Sequence, residues 1–381
     1  MKNKQLTIVE SACIITGYGI GGGVMAMPYL AQRNGCLMSL LILAAAFLAS
    51  FILHVMIAEL AVKSGGGSQI IEVFSRYLFQ GKYKKVLTLA FFVIMALVLF
   101  TNLAAYISGA AEIISELLGI SLWLSRLLFY AAAASVVLFG LKAVGVSEKL
   151  AVGVIFLLVG LLACFSMLHI QNPLPVNAGS ITEGLVYFGM GMFAFSAFFS
   201  VPQAVSGLGG DGKKVRKAVF LGLLNNFILI TVITVCALLS STQVTEVAMI
   251  GWSKGIGSWA EMVGSLFTIL AMLTTYWSIS LALADIVEEQ LKLSRRLLLG
   301  DCHAAVPGPY FCGAWRLHGI HATGRRAYRY PHRPPGGACI PEGIPGTGGF
   351  AAWKMERRMD ADSDYNRLCS DGGWKCGEDI K

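Results

Sequence analysis

The stretch that decides the fold is TGYGIGGGVMAMPY, residues 16–29, inside the first long apolar segment of the chain. Seven consecutive positions hold five glycines, and a proline follows them: Gly17, Gly19, Gly21, Gly22, Gly23 and Pro28. Each interior glycine costs a helix roughly 1 kcal/mol relative to alanine. The segment therefore predicts a membrane helix that is broken near its middle.

Similar apolar segments fill the rest of the chain up to about residue 290. Of the 381 residues, 56% are hydrophobic and 14% are charged, against about 25% charged in a soluble domain. About 20 apolar residues cross the hydrocarbon core as a helix, and the period-two alternation of a barrel is absent. We therefore predict an all-α integral membrane protein with eight spans, at residues 7–31, 37–62, 86–109, 122–144, 147–169, 182–205, 217–240 and 257–284.

The cationic residues set the orientation. They lie ahead of the first span, in alternate loops and after the last span, at Lys2, Lys4, Lys63, Arg76, Lys82, Lys84, Lys85, Lys142, Lys149, Lys213, Lys214, Arg216, Lys217, Lys292, Arg295 and Arg296. Lysine and arginine accumulate on the cytoplasmic side, so we expect a cytoplasmic N-terminus and a location in the inner (plasma) membrane. This topology explains the pI of about 9.0 without a nucleic-acid partner.

A second break is predicted in the sixth span, in FGMGMFAFSAFFSVP, residues 188–202. Irregular backbone at membrane depth is tolerated where it lines a cavity or is buried in protein, although small residues also serve close helix packing. The two breaks are five spans apart, in spans that run in opposite directions. This favours an inverted repeat, with a first half at about 7–170 and a partial second half at about 182–290, and a binding site at the midplane.

The two breaks suit a zwitterion. Freed N–H groups and the N-terminus of a half-helix hold a carboxylate, whereas freed carbonyls and a half-helix C-terminus hold an amine or a cation. An α-amino acid carries both groups. The pattern therefore predicts an amino-acid substrate.

The glycine-rich stretch followed by Asn34-Gly35, the F-x-x-P-Q segment at Phe199–Gln203 and TTYWSISLALADI at 274–286 carry a family resemblance. Together they resemble amino acid permeases of the amino acid–polyamine–organocation superfamily, especially the aromatic (tryptophan/tyrosine) and the amino acid/auxin branches. The resemblance covers residues 7 to about 296. It implies the leucine-transporter fold of five plus five helices and symport with sodium or a proton.

The resemblance also implies site residues. Backbone from Gly17 to Gly23 would meet the substrate's carboxylate and amine, and the sixth-span break from Gly189 to Ser196 would face its side chain. Further candidates are an aromatic hydroxyl near the carboxylate, two side-chain walls and a hydroxyl pair that would hold the coupling ion with Gly17: Tyr106, Phe193, Phe195, Thr274 and Thr275. The plainer alternatives are a hydroxyl bonded within the bundle, phenylalanines that are packed or face lipid, and threonines bonded to their own helix.

Other polar residues of the spans have structural explanations. Glu59 and Asp285 lie near predicted cytoplasmic ends, where interfacial solvation or a structural pair is favoured over proton coupling. His54 is expected as a neutral histidine bonded to a neighbouring helix, although histidine also titrates near neutral pH. Asn102, Asn225 and Asn226 are expected to join helices.

The composition changes abruptly after about Leu297. Residues 300–349 are rich in Gly, Pro, Arg, His and Cys and contain no apolar run that could span a membrane. A shift of one base in a back-translated sequence permits apolar spans there, so we expect residues 297–381 to be a frameshift product that leaves the bundle C-terminally incomplete. A solvated tail is an alternative, and a zinc module is disfavoured by the Cys302, Cys312, His318 and His321 spacing.

The sequence as a whole predicts a secondary amino-acid symporter for aromatic or large neutral substrates, working by alternating access. The alternatives are a transporter of polyamines or other organic cations, which an anionic side chain at the breaks would favour, and a membrane channel or sensor. Motifs of intramembrane or soluble hydrolases are absent, so no enzyme activity, metal or cofactor is expected beyond the coupling ion. The oligomeric state stays open.

Overall fold

In the computed structural model of the chain, residues 5–291 are described, and they form twelve helices with no strand among them. The first seven are α1 Ile8–Gly19, α2 Gly22–Asn34, α3 Cys36–Lys63, α4 Ile70–Tyr77, α5 Lys84–Leu118, α6 Leu122–Leu138 and α7 Leu141–Ser166. The others are α8 Ile181–Ala194, α9 Ser200–Gly207, α10 Gly212–Ser240, α11 Ala248–Ile256 and α12 Ser258–Leu291. The predicted frameshifted tail, residues 297–381, lies outside the described residues.

The long apolar helices confirm the prediction of an all-α membrane protein. By length and composition, five described helices can each cross a membrane: α3, α5, α7, α10 and α12. The α1–α2 pair makes a sixth span with a 60° bend at its break, and α6 and α8 are shorter apolar helices. All eight predicted spans therefore correspond to helical segments.

The same order of elements occurs twice. A broken span, a long helix, a short helix and a second long helix follow one another in α1–α5 and again in α8–α12. The first helix of each series also begins with the same local motif, a reciprocal capping box formed by Thr7 with Glu10 and by Ser180 with Glu183. In this motif the hydroxyl and the carboxylate each satisfy a free backbone N–H group. This parallel supports the predicted internal repeat.

The boundary between the fourth and fifth spans differs from the predicted one. The prediction was 122–144 and 147–169, whereas α6 ends at Leu138 and α7 already begins at Leu141. Gly140, at φ +83°, makes the turn in a left-handed conformation that side chains rarely adopt. Apolar residues continue through this turn, so a hydropathy pattern does not show where α6 ends and α7 begins. As a result Glu148, the second residue of the span predicted at 147–169, lies two turns inside α7.

The broken first span lies in the middle of the bundle. Helix α1 packs against α7, α9, α10 and α12, and α2 packs against α8 and α10. The buried side chains of α1 include Ile14 and Ile15, both 0% exposed. Both halves of the first span are therefore surrounded by protein, as irregular backbone at membrane depth requires.

Candidate functional site

The first predicted break is present and lies within the glycine cluster. Helix α1 ends at Gly19 and α2 begins at Gly22, which leaves Ile20 and Gly21 between them. The two helices are bent by 60° at this break, where the non-helical Gly21 has φ −51° and ψ −156°. Gly17 and Gly19 lie in the last turn of α1, whereas Gly22 and Gly23 lie in the first turn of α2. The free N–H groups of α2 therefore start beside the C-terminal carbonyls of α1.

The second break is present but lies further along than predicted. The prediction placed it at Gly189–Ser196, whereas α8 stays helical through both of its late glycines to Ala194, and α9 begins at Ser200. Gly189 lies on an exposed face with nothing within 4 Å of a Cβ placed on it, and Gly191 packs against Ala46. These two glycines therefore serve the helix and its packing, while the non-helical residues are 195–199.

A histidine from another helix holds the second break. The backbone N–H of Ala197 donates to Nε2 of His54 at 3.0 Å, and Nδ1 of His54 lies 2.6 Å from the Ser50 carbonyl. These partners require a neutral ring with its proton on Nδ1. The ring is 0% exposed and stacks on Phe198 at 4.3 Å between ring centroids. His54 is thus bonded to another span, but its partner is the non-helical break between α8 and α9 and not the neighbouring helix that was expected.

The two breaks lie against each other. Tyr18, next to the end of α1, stacks on Phe199, the residue before α9, with 6.4 Å between the ring centroids. A Cβ placed on Gly23 would lie 3.0 Å from the Cα of Ala194, and one placed on Gly19 would lie 3.0 Å from the Ala194 carbonyl oxygen. Neither glycine can carry a side chain without moving the end of α8. The glycines of the first break are therefore required by close approach to the second.

Tyr106 of α5 lies at the first break, as the resemblance implied. Its hydroxyl is hydrogen-bonded to the backbone of Gly22 and to the side chain of Thr275. A Cβ on Gly21 would lie 2.5 Å from this hydroxyl oxygen, whereas a Cβ on Gly22 would meet nothing within 4 Å. Gly22 is also exposed. The start of α2 therefore presents bare peptide groups to open space, with a tyrosine hydroxyl beside them.

The predicted wall residues lie in different surroundings. Phe195 is 0% exposed and packs edge-on against Phe47 of α3 at 5.9 Å, so it belongs to the core between helices. Phe193 is 60% exposed, with its ring next to Gly23. The backbone N–H of Ser196 donates to the Phe193 carbonyl at 3.0 Å, in the turn that ends α8. Tyr18 and Phe199, which the sequence analysis did not select, are the aromatic pair that joins the breaks.

The two threonines of α12 meet the last turn of α1. The hydroxyl of Thr275 lies 2.9 Å from the Gly17 carbonyl oxygen, and that of Thr274 lies 3.4 Å from it. Each hydroxyl also lies within 3.0 Å of the Ala271 carbonyl on its own helix. The three predicted residues are thus brought together, and the own-helix bond named as the alternative is present as well.

The structure adds Glu148, a carboxylate that the sequence analysis did not consider. Its side chain, on α7, is 0% exposed and contacts Gly17, so that a Cβ on this glycine would collide with the carboxyl group. Glu148 is thus an anionic side chain that reaches the first break from another helix. The missed signal was a glutamate inside an apolar run, hidden by the misplaced start of the fifth span.

Two buried amides also approach the breaks. Asn226 of α10 is 0% exposed, neither its amide nitrogen nor its carbonyl oxygen has a hydrogen-bond partner, and it contacts Gly19. Gln203 of α9 donates to the Ser278 carbonyl at 3.0 Å, while its own carbonyl oxygen has no partner. Asn225 joins helices as expected, donating to Thr16 at 3.2 Å. Asn226 does not form the expected bond between helices, and both of its side-chain polar atoms are available to a ligand.

The interfacial acids behave as structural groups. Glu59 pairs with Arg216 of α10 at 3.2 Å, and both side chains are more than half exposed. Such exposed pairs contribute about 0–1 kcal/mol. The other acid near a predicted cytoplasmic end, Asp285, has a partner as well. Neither residue lies at the breaks.

Residues 4–299 match the model of the tryptophan/tyrosine permease family. The chain belongs to this family. Glutamine transporter 2 of Aliivibrio fischeri (strain ATCC 700601 / ES114) is 24% identical over 291 residues, which cover 72% of this chain and 73% of the relative. The fold is similar to that of MHP1, a nucleobase-cation-symport-1 family transporter solved in a closed conformation with bromovinylhydantoin bound, with a TM-score of 0.64. That match has 13% sequence identity and covers 80% of this chain and 71% of MHP1.

Family membership confirms the resemblance to amino acid permeases, and the similarity to MHP1 confirms the leucine-transporter-like fold. The protein is therefore a multi-pass membrane transporter of the amino acid permease type and not an enzyme. Its substrate, its coupling ion, its orientation and its site residues are proposed below.

Proposed function

We propose that this chain is a symporter of large neutral amino acids, aromatic ones foremost, that works by alternating access around the two breaks. The observation that carries the proposal is the meeting of two interrupted helices at Gly19, Gly23 and Ala194, next to Gly22, whose backbone faces open space. Paired interrupted helices of this kind form the midplane sites of secondary transporters. The N-terminus of α2 lies close to the C-termini of α1 and α8, so that the carboxylate and the ammonium group of one small zwitterion can both be bound.

In this proposal the substrate carboxylate binds at the N-terminus of α2. The Gly23 N–H group and the positive end of the helix dipole favour an anion there. The Gly22 backbone, which is hydrogen-bonded to the Tyr106 hydroxyl, would exchange that partner for the carboxylate. The Tyr106 hydroxyl adds a donor next to Gly22. The substrate ammonium group then points to the carbonyls at the ends of α1 and α8, of which the Ala194 carbonyl is nearest to Gly19.

The substrate side chain lies against the second break. Of the residues predicted there, Phe193 and Ser196 remain candidates, and the buried Phe195 supports the wall from behind. The Tyr18–Phe199 pair offers aromatic faces close to both breaks. Aromatic rings stack favourably on one another, by about 0.5–1.5 kcal/mol beyond the area that they bury. This arrangement favours an aromatic substrate.

The coupling ion is proposed to act at the contact where Gly17, Thr274 and Thr275 meet. Hydroxyl and carbonyl oxygens suit a hard cation such as sodium, whereas a proton requires a titratable group beside them. The site joins α1 to α12, so that its occupancy would decide whether α1 can leave the bundle. Coupling of this kind makes substrate release depend on release of the ion.

Two other substrate classes have support in particular residues. The unpartnered amide of Asn226 would hydrogen-bond the side-chain amide of glutamine, and the Aliivibrio relative is named a glutamine transporter. Glu148 meets the condition set for a polyamine or other organic cation, an anionic side chain at a break. Its carboxyl group is, however, fully buried against Gly17 and Ser278 and does not line the open side of Gly22.

The distribution of Lys and Arg supports a cytoplasmic N-terminus in a bacterial-type inner membrane. The exposed Lys213, Lys214 and Lys217 at the start of α10 and the lysines before α5 would then face the cytoplasm. Fusion of a cytoplasmic reporter to the N-terminus checks this orientation.

Uptake by proteoliposomes tests the proposed function. The full 381-residue chain is reconstituted, and radiolabelled tryptophan uptake is measured with excess unlabelled tyrosine, phenylalanine, glutamine or putrescine. We expect saturable, gradient-driven uptake that the aromatic competitors inhibit most strongly. Inhibition by glutamine alone would move the assignment to amide substrates, inhibition by putrescine alone would favour organic cations, and non-saturable flux would indicate a channel.

A further inference from the structure

Glu148 is a buried carboxylate with an incomplete set of partners. It lies in α7 and is 0% exposed. One oxygen, Oε1, accepts a hydrogen bond from the Ser278 hydroxyl at 2.8 Å. The other, Oε2, is buried, has no hydrogen-bond partner and lies against Gly17. One oxygen of this buried carboxyl group therefore has no partner, and such a deficit costs much more for an ionised group than for a neutral one.

No described cation neutralises this carboxylate. Of the three titratable groups on α1, the Cys13 thiol interacts with Glu148, Glu10 is held by Lys142 at 2.6 Å, and Tyr18 stacks on Phe199. Helix α9 contains no titratable residue, and the next residue of α7, Lys149, is exposed. The remaining ionisable residues of the helices that pack against α7 are Arg126 and Tyr130 of α6, Lys213, Lys214, Arg216, Lys217 and Cys236 of α10, Lys254 of α11, and Glu261, Tyr276, Asp285, Glu288 and Glu289 of α12. The structure gives Glu148 no ion pair with any of them.

An unpaired buried charge costs several kcal/mol, so the group needs a cation whenever water is excluded. A sodium ion requires a shell of oxygens, yet Oε1 has one described oxygen partner and Oε2 has none. The threonine hydroxyls bond instead to the carbonyls of Gly17 and Ala271. A proton needs no coordination shell. The surroundings of Glu148 therefore favour the neutral acid.

Ser278 connects this group to the broken helix. Its hydroxyl lies 2.8 Å from Oε1 of Glu148 and 3.4 Å from the Ile14 carbonyl oxygen of α1. When Glu148 is ionised, the single hydroxyl proton points to Oε1. When Glu148 is protonated, its O–H donates to Ser278, and the serine proton is free to turn to Ile14. The charge state of Glu148 is thus transmitted to α1.

We propose that Glu148 is the group that binds and releases the coupling proton in each transport cycle. An O–H bond forms on the carboxylate when the site is open to the side that supplies protons, and the same bond breaks when α1 moves away and water from the other side reaches the group. The protonated state permits the closed packing of α7 against Gly17, and the ionised state disfavours it. This inference rests on the proposed symport function.

Proton-driven uptake tests this role. Proteoliposomes that contain the full chain are given an acid-outside gradient with the membrane potential clamped at zero, and tryptophan accumulation is measured. For one proton per substrate, a gradient of about one pH unit sustains about tenfold accumulation, because both are the same factor in an equilibrium constant. The wild type is expected to reach this ratio, whereas Glu148→Gln should only equilibrate tryptophan and should lose the pH dependence of uptake.

Four variants separate coupling from structure. Tryptophan counterflow, which needs no proton release, should fall by less than about threefold in Glu148→Gln, because the amide keeps the hydrogen bond of a neutral acid. Glu148→Asp should keep a pH profile with a shifted midpoint, and Ser278→Ala should shift the midpoint of the wild-type profile. Glu246→Gln, a change at an exposed glutamate outside the helices, should behave as the wild type.

Infrared difference spectroscopy keeps the inference testable without transport. The pH-dependent carbonyl band of a protonated carboxylic acid should be present in the wild type and in Glu246→Gln, and absent in Glu148→Gln. Unchanged accumulation by Glu148→Gln or an unchanged band would overturn the role, as would accumulation driven by a sodium gradient alone. A wild type that shows the band but moves no amino acid would instead refute the proposed function.

Discussion

The two breaks differ in what creates them. The first results from its own residues, since four of its five glycines lie where an added Cβ would collide with α5, α7, α8 or α10. The second, at residues 195–199, contains no glycine. It depends on His54 of α3, which accepts the Ala197 N–H, and on the ring stacking between His54 and Phe198. The first break is thus determined by the local sequence, whereas the second depends on tertiary contacts with α3.

The largest effect is expected from filling the first break. In Gly21→Leu, the new side chain would enter the space of the Tyr106 hydroxyl, 2.5 Å from the Cβ position. Displacement of binding groups by about 1 Å can cost about a hundredfold in rate, so tryptophan uptake should fall at least that far while membrane insertion persists. Uptake assays on equal amounts of inserted protein check this.

The matched control for that change is Gly153→Leu on α7, where a Cβ meets nothing within 4 Å and the residue is exposed. It should retain uptake. Equal uptake by both variants would count against a substrate site at the first break.

The next effect concerns the second break. His54→Ala leaves the buried Ala197 N–H without an acceptor, which costs about 1–3 kcal/mol, and it removes the ring that stacks on Phe198. We expect a lower melting temperature together with weaker tryptophan binding, measured by thermal unfolding with and without substrate. His169→Ala removes an exposed histidine that bonds to its own helix and should leave both quantities unchanged. Unchanged binding by His54→Ala would show that the second break holds its shape without this bond.

This contrast explains which features the sequence could predict. The glycine cluster identified the first break to within a few residues, and the long apolar runs identified the eight spans of the described residues. The second break was placed too early, at Gly189 and Gly191, because glycine is enriched both where a helix breaks and where helices pack closely. His54, Asn226 and Glu148 come to the breaks from α3, α10 and α7, and their roles depend on contacts that no local pattern contains.

A smaller effect is expected at the contact between α1 and α12. Thr275→Ala removes the hydroxyl that lies 2.9 Å from the Gly17 carbonyl. One hydrogen bond contributes about 1 kcal/mol, so the apparent affinity for the coupling cation should fall about fivefold. Titration of uptake with protons and with sodium measures this. Thr101→Ala loses only a bond to its own helix and should change nothing, and an equal response of the two variants would exclude the site at Thr275.

The smallest effect is expected at Gly189, which the sequence placed inside the second break and the structure places on an open helix face. Gly189→Ala should leave uptake unchanged and stabilise α8 by about 0.5–1 kcal/mol through helix propensity alone. Thermal unfolding and tryptophan uptake together check this. A large loss of uptake would return Gly189 to the binding site and would move the second break back toward its predicted position.

The central claim is that both interrupted helices offer bare peptide groups to one zwitterion. A crystal structure of the full chain with tryptophan bound tests it most directly. We expect the carboxylate at the N–H groups of Gly22 and Gly23 and the ammonium group near the Ala194 carbonyl, with both breaks open around the ligand. Continuous first and sixth helices, or tryptophan bound away from both breaks, would contradict the account.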